Sequence, residues 1–262
     1  MSALKGTALI TGASTGIGAV YADRLAKRGY DLILVARNEE RLSESAARLK
    51  STGRRIETSV ADLTNKEDVQ RVAERLSTDP TITALVNNAG LGSARRLLDE
   101  KMDDLESMIY LNVTALTRLA LAALPAFIAR KNGLLINIAS VVALAPDLLN
   151  GTYSGTKAYV VNFTQALKSE LAGTGVTIQA VLPGATATPF WEKSGRPVED
   201  LPAEMVMTAE DMVDASLAGL DQHELVTIPT LPDLADWEKY EAARKALGPN
   251  LSRQFPAARY GY

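Results

Sequence analysis

The chain has 262 residues, 47% of them hydrophobic and 23% charged, with a net charge of −3. Those are ordinary proportions for a globular protein with a sizeable core, in one large domain or two small ones. The acidic balance argues against a nucleic-acid or anionic-membrane surface, and the absence of cysteine excludes disulfides, thiolate metal sites and cysteine nucleophiles.

Residues 7–11 form a short apolar run that reads as a buried parallel strand. Gly12-Ala13-Ser14-Thr15-Gly16-Ile17-Gly18 follows, then an amphipathic helix to about Arg28. Strand, glycine-rich turn and helix make the opening of a dinucleotide-binding unit. The glycines let the backbone turn sharply and approach a pyrophosphate at the positive helix N-terminus. The spacing is Gly-x-x-x-Gly-x-Gly rather than the commoner Gly-x-Gly-x-x-Gly, and a tight turn without a ligand also fits this loop taken alone.

Residues 31–36 are a second strand, ending in Ala36-Arg37-Asn38. An NAD site places an acid here to hold the ribose 2′-hydroxyl. Arg37 would instead attract a 2′-phosphate through its planar fork, which favours NADP(H). NAD(H) is the weaker alternative, since Thr15 adds no second positive charge, and Arg37 could also merely solvate the strand end.

A polar helix is expected over 38–49 and a third strand over 56–60, ended by Ala61-Asp62-Leu63. A helix over 65–76 and a strand over 84–87 lead into Asn87-Asn88-Ala89-Gly90. Ligands of open α/β sheets sit beyond the carboxyl ends of strands. There Asp62 suits an adenine amino group and Asn88-Ala89-Gly90 a ribose, although either residue alone reads equally as a cap or turn former. A long helical region, 102–130, contains Asn112. If buried, this residue needs partners, and as a poor helix former it either interrupts the helix to reach a site or is structural. The most apolar run within it, 116–128, is broken by Arg118 and Pro125, so no membrane span is expected. With no room for a leader before Thr7, the expected location is cytoplasmic.

The fifth strand, 133–138, is followed by Ser140 at its carboxyl end. Tyr153-Ser154-Gly155-Thr156-Lys157 heads a helix over 152–171. Residues four apart share a helix face, so the Tyr153 phenol and Lys157 ammonium address the same space. A neighbouring cation favours the phenolate, so a lowered Tyr153 pKa is expected. Ser140 can hold a carbonyl oxygen beside the phenol. It lacks a base for nucleophilic work, because the one histidine, His223, stands outside any cluster. A sixth strand, 177–182, closes with Pro183-Gly184. The irregular segment 185–207, with Phe190 and Trp191, has the length of a functional loop. A helix over 208–220 capped by Thr208, a strand over 225–229, and a short helix over 233–247 complete the chain. The unbroken alternation predicts an α/β fold, a doubly wound, Rossmann-like parallel sheet of about seven strands with helices on both faces. It also predicts a single domain over 1–262, with 185–207 as substrate loop and 231–262 as C-terminal extension.

Taken together, Thr11-Gly12-x-x-x-Gly16-x-Gly18, Asp62, Asn87-Asn88-Ala89-Gly90, Asn112, Ser140, Tyr153-x-x-x-Lys157 and Pro183-Gly184 resemble the short-chain dehydrogenase/reductase family in its short single-domain branch. The resemblance runs from residue 4 to 188. It implies that Tyr153 is the general acid/base, that Ser140 bonds the substrate oxygen, and that Lys157 lowers the Tyr153 pKa and binds the nicotinamide ribose. It further implies that Asn112 positions a relay water. Gly12, Ser14, Thr15, Gly16, Ile17 and Gly18 would hold the pyrophosphate, Asp62 and Leu63 the adenine, and Asn88, Ala89 and Gly90 a ribose. Pro183, Gly184, Thr186 and Thr188 would border the nicotinamide. Expected substrate contacts are Ser140, Val142, Leu148, Asn150, Tyr153, Gly184, Phe190 and Trp191, a mostly apolar set suited to a hydrophobic or medium-sized ketone. No metal is implied. The implied activity is an NADPH-dependent carbonyl reductase, reversible as an alcohol dehydrogenase. The alternatives are a 3-oxoacyl-[acyl-carrier-protein] reductase and a non-catalytic NADP(H)-binding redox sensor. A homodimer or homotetramer built on helices 102–130 and 152–171 is also implied.

Overall fold

Seven strands, β1 (Thr7–Thr11), β2 (Asp31–Ala36), β3 (Ile56–Val60), β4 (Ile82–Asn87), β5 (Gly133–Ile138), β6 (Val176–Val181) and β7 (Val226–Thr227), pair in the order β3-β2-β1-β4-β5-β6-β7. Every pairing is parallel. The sheet belongs to a computed structural model that describes residues 5–261. The expected start of the family resemblance at residue 4 lies outside the described residues. Parallel strands need crossover connections. These are supplied by α1 (Gly16–Lys27), α2 (Glu39–Leu49), α3 (Lys66–Thr78), α4 (Met102–Ile109) with α5 (Leu116–Arg130), α6 (Gly151–Glu170), and α7 (Phe190–Ser194) with α8 (Ala209–Asp221).

The central strands are apolar on both faces, and side chains alternate between two cores as the period of a strand requires. Leu9, Ile33, Val35, Leu85 and Leu135 point into a core shared with α3, α5 and α6. Ala8, Ile10, Leu32, Leu34, Val86 and Ile136 point into the core shared with α1, α2 and α8. Edge strand β3 carries Glu57, Thr58 and Ser59 and is only partly buried. Chain order reverses between β1 and β4, so their carboxyl ends diverge into the crevice where such sheets take ligands. Thr11 Oγ1 pins that crevice: it donates to Val86 O at 3.3 Å and accepts from the backbone N–H groups of Asn88 and Ala89, both at 3.0 Å.

The expected helix over 102–130 is continuous but not uniformly α. Residues 110–115 form a π-helical turn around Asn112. The Asn112 side chain is bonded elsewhere, as described below, and widened turns of this kind mark functional positions. The uninterrupted helical stretch Met102–Ala129 is long and apolar enough to cross a membrane by length and composition: an 18-residue window of it has mean hydropathy 1.6, and half of that window is buried inside the protein. The sequence reading counted unbroken apolar runs and so passed over this stretch. Its buried Leu119, Ala120, Ala123 and Phe127 are part of the core against α3 and the sheet, the environment of an internal helix.

The segment 185–207 is more ordered than expected. Thr186 and Met207 form an isolated parallel bridge, with Ala187 N–H bonded to Met207 O at 2.8 Å and Met207 N–H to Ala185 O at 2.9 Å. The segment is therefore a flap closed at its base, and α7 lies within it.

The chain divides into two compact units, Met1–Pro229 and Thr230–Tyr262. The second unit holds α9 (Leu234–Ala246), capped by Asp233 Oδ1, which accepts from Ala235 N–H at 2.8 Å. Within α9, Trp237 and Tyr240 stack at 5.3 Å and Arg244 pairs with Glu241 at 2.8 Å.

Candidate active site

The site is assembled at the carboxyl ends of β1, β4 and β5. Asn150 starts α6: its Oδ1 accepts from Thr152 N–H at 2.9 Å and Tyr153 N–H at 3.4 Å, and its Nδ2 donates to Arg95 O at 3.3 Å. The expected substrate contact at Asn150 is thus replaced by a helix cap and brace with both polar ends engaged, buried to 4% exposure. This cap sets the first turn of α6, and that turn carries Tyr153.

Tyr153 is buried, within reach of a hydrogen bond from Ser140. Burial pushes its phenol up to about 12, and the Ser140 bond draws it partly back. Lys157, also buried, has its Nζ 5.7 Å from the Tyr153 ring centroid and donates to Ile138 O at 2.8 Å. Burial brings its ammonium down to about 8. The expected lowering of the Tyr153 pKa by Lys157 is therefore not found in this site. Burial of the phenol sets the direction, and the Ser140 bond is what opposes it. The Ser140 hydroxyl, 9% exposed, accepts weakly from Val142 N–H and donates weakly to Pro183 O, both at 3.4 Å. Bonds this long leave it free to turn toward an oxygen placed at Tyr153.

Asn112 is engaged by the protein at both ends of its amide. Its Oδ1 accepts from Leu91 N–H at 2.9 Å, and its Nδ2 donates to Leu91 O at 2.8 Å and Thr156 Oγ1 at 3.0 Å. The side chain clamps the irregular segment after β4 to α6. A Cβ on Gly90 would stand 3.2 Å from Asn112 Oδ1 and 3.6 Å from Lys157 Nζ, so the lack of a side chain at Gly90 keeps the space between those two groups clear.

The glycine loop fits a dinucleotide. Gly12 has φ +66°, a left-handed conformation that glycine adopts without strain. A Cβ on Gly18 would come 2.3 Å from Gly12 O, so α1 can start this close to β1 only with glycine there. Thr15 at the N-cap of α1 makes no side-chain capping bond, and the first turn holds no acid. By contrast α2, α3, α6 and α8 are capped by Asn38, Asn65, Asn150 and Thr208. The open N–H groups of α1 and its dipole suit a pyrophosphate. Ser14 and Ile17 flank the loop, and Arg37 stands exposed at the end of β2.

Two expected cofactor contacts are partly spent inside the protein. Asn88 Nδ2 donates to Thr11 O at 2.8 Å and Gly12 O at 3.3 Å, so this end of the amide shapes the glycine loop rather than reaching a ribose. Asp62 Oδ1 accepts from the N–H and hydroxyl of Thr64 at 3.0 and 2.8 Å, forming a turn beside the buried Leu63. Thr186 donates to Gly184 O at 3.1 Å, and the methyl side of Thr188 rests where a Cβ on Gly16 would be, 2.9 Å away. The flap therefore touches the glycine loop.

Substrate-side expectations divide. Val142 and Met108 pack with Tyr153, and Leu91, Leu149 and Phe190 pack against that cluster. Phe190 lies 5.8 Å from the Tyr153 ring, and its edge fills the space over Gly92, where a Cβ would stand 2.2 Å from Cζ. Leu149 takes the place expected for Leu148, which is 59% exposed. Trp191 does not line the pocket as expected: it is buried, and its Nε1 donates to Thr186 O at 2.9 Å, anchoring the flap. Leu149, Met108 and the Thr156 partner of Asn112 were not among the expected site residues. Helical spacing offers a signal for Thr156, three residues past Tyr153.

A buried tyrosine and lysine one turn apart, a serine hydroxyl on the phenol and an open glycine-loop helix together define a hydride-transfer site of one kind. The chain belongs to the short chain dehydrogenase family, whose model matches residues 6–199, and is an oxidoreductase of that family. It is similar to a short-chain dehydrogenase from Sphingobium yanoikuyae solved in complex with NADPH, with 44% identity and TM-score 0.94 over 97% of this chain and 100% of that one. It is also similar to the bulky-bulky ketone specific alcohol dehydrogenase from Comamonas testosteroni, with 41% identity and TM-score 0.89 over 97% and 98% of the two chains. An uncharacterized oxidoreductase of Staphylococcus saprophyticus is 34% identical over 223 residues, 84% of this chain and 93% of that one.

Proposed function

We propose that the protein is an NADPH-dependent carbonyl reductase that converts bulky apolar ketones to secondary alcohols and runs in reverse as an alcohol dehydrogenase. The observation that carries this reading is the convergence of Ser140, Tyr153 and Lys157 beneath Phe190, in an apolar chamber beside the open glycine loop. A bound nicotinamide would supply the hydride. The chain supplies the rest. Ser140 holds the carbonyl oxygen, and Tyr153 donates a proton to it as negative charge develops. A phenol held near 12 in a dry site is a competent donor to a strongly basic alkoxide. Lys157 stands behind the phenol and stabilises the phenolate left after transfer. Phe190 and Val142 keep water from the reacting carbon.

The 2′-phosphate preference rests on Arg37, and the ketone preference on the lining of Val142, Leu149, Leu91, Met108 and Phe190. Both agree with the NADPH complex of the Sphingobium yanoikuyae protein and the ketone specificity of the Comamonas testosteroni one. The same reading includes self-association. The two long helical regions expose Ile109, Leu121, Ile128 and Tyr159, and a second copy covering them would give a homodimer or homotetramer, in a cytoplasmic setting. The test is consumption of NADPH and NADH with a panel of aryl ketones, β-ketoesters and acyl thioesters. Turnover of bulky ketones with NADPH supports the reading. Turnover of thioesters alone would replace it with the acyl-carrier reductase, and tight NADPH binding without turnover of any panel member with a redox sensor.

A further inference from the structure

The C-terminal unit, taken by itself, has no core. No residue of α9 is buried, and Leu247, Leu251, Phe255 and Tyr260 beyond it are exposed. A helix of this length is marginal in water, and a unit this small takes a disulfide, a metal or an association to hold its fold. The chain has no cysteine, and the described residues contain no cluster of metal-binding side chains. The unit is also one-sided in charge: beyond Glu241 it carries Arg244, Lys245, Arg253 and Arg259 and no acidic side chain. Arg244 is taken up by Glu241. Lys245, Arg253 and Arg259 have no ion-pair partner among the described residues. Arg253 bonds Asn250 Oδ1 at 2.8 Å and Arg259 the Tyr260 hydroxyl at 2.9 Å, both neutral partners.

The larger unit carries the complementary surface. Leu97 and Leu98, just before α4, and Met102 at its start are exposed, Leu98 to 86%. Asp103, Asp104 and Glu106 of α4 are exposed beside them and have no ion-pair partner among the described residues. Met102 and Glu106 stand one turn apart, so apolar and acidic groups share a face. The two acids of the first turn also suit the α4 dipole, which leaves their outer sides open to a partner. This face adjoins the pocket. Leu97 Cδ2 stands 3.7 Å from where a Cβ on Gly151 would be, at the head of α6, and Met108 farther along α4 packs on Tyr153.

We infer that residues 245–260 of one copy dock on the 97–106 face of a second copy, reciprocally about a two-fold axis, and brace the mouth of that copy's pocket. This rests on the homo-oligomer reading and gives it an exchanged arm. The argument for a second copy is complementarity: a basic, apolar segment and an acidic, apolar face occur on the same chain, so a two-fold pair satisfies both twice. Stable interfaces take about 20–30 residues a side, the size of the arm and its face. The charges set register and the apolar side chains supply the burial.

The experiment uses the full chain as wild type, as an arm variant (Arg253→Glu with Arg259→Glu), as a face variant (Asp103→Lys with Glu106→Lys), and with all four changes together. The substituted side chains are exposed, and circular dichroism checks the fold. Association is followed by analytical sedimentation and the ketone KM is measured beside it. Each one-sided variant should associate about tenfold more weakly and show a raised KM. An equimolar mixture of the two should return both values to wild type, because each arm then meets a matching face in trans. The inference is overturned if either variant associates as wild type does, or if association returns in the fourfold variant but not in the mixture, which puts the arm on its own chain. It is also overturned if the arm variant keeps its association and loses binding to phosphatidylserine vesicles, which makes the arm a membrane contact. If wild type stays dimeric or tetrameric and no variant changes it, the homo-oligomer reading stands and the docking alone fails. If wild type is monomeric at every concentration, both fail. If association follows the expected pattern and the KM does not, the docking stands and the brace fails.

Discussion

The wall that carries Ser140, Tyr153 and Lys157 and the flap that lies over it are held by different means. In the wall, side chains are buried and tied to backbone: Lys157 to Ile138 O, Asn112 to the N–H and the carbonyl of Leu91, Asn150 to the first turn of α6. The flap is closed on itself by the Thr186–Met207 bridge and the Trp191 bond to Thr186, meets the segment after β4 through the Ala94 N–H bond to Ser194 O at 2.9 Å, and at Met205 is 60% exposed. Groups that must be placed to a fraction of an ångström stand on regular elements, whereas groups that only cover the substrate stand on a segment with few buried contacts, which opens at lower cost. On the proposed function, proton transfer belongs to the wall and selectivity to the flap, and mutations in the two should separate kcat from KM.

The largest effect falls on the wall. Tyr153→Phe should cut ketone turnover by about 10²–10⁴-fold while NADPH affinity, measured by fluorescence, stays close to that of wild type. Turnover near the parent rate would remove the wall from the chemistry. Lys157→Met should also lower turnover, yet its effect on stability runs the other way. Burial holds the folded-state ammonium near 8 against 10.5 for the free side chain. Between those values the unfolded chain binds the extra proton, so this group's contribution to stability rises with pH across that window, and below it the buried charge is a net cost. Lys157→Met should therefore melt higher than wild type near neutral pH, by an advantage that shrinks as the pH climbs from 8 toward 10.5. A melting temperature below wild type across the whole range would contradict a dehydrated Lys157.

The flap should respond in KM. Gly92→Ala places a Cβ 2.2 Å from the Phe190 ring and should raise the ketone KM about tenfold, within the usual cost of overpacking, with a smaller change in kcat. An equal fall in kcat would mean that Phe190 also positions Tyr153. The smallest effect lies away from both regions. Asp214→Ala removes a half-exposed partner of Arg24, which keeps its second bond to Asp23, and should cost less than about 1 kcal/mol in denaturant titration with unchanged kinetics.

Strand positions were legible because a parallel sheet writes itself as short continuous apolar runs ended by glycine, asparagine or serine, and β1, β2, β3 and β5 fall on the expected residues. The ends that shifted, at β4, β6 and β7, are set by pairing with a neighbour rather than by local sequence. Tyr153, Lys157 and Ser140 were legible because one lies a helical turn from another and the third ends a strand. Partners fixed by long-range contacts were not. Nothing in the sequence says that Thr186 pairs with Met207, that the Asn88 amide nitrogen points back at Gly12, or that Trp191 faces inward. The Tyr153 pKa was misjudged for a similar reason: charge is visible in a sequence, but depth is not.

The pairing of β1 with β4 also bears on how the protein acquires its crevice. Thr11 and Val86, bonded across it, are separated by 75 residues, so during synthesis the glycine loop emerges long before the strand that completes its far wall. Local helices and the β1–β2 pair can form early, but the cleft waits for a long-range closure that is entropically slow. A chain stopped before β4 would own every glycine of the loop and still have nowhere to put a nucleotide.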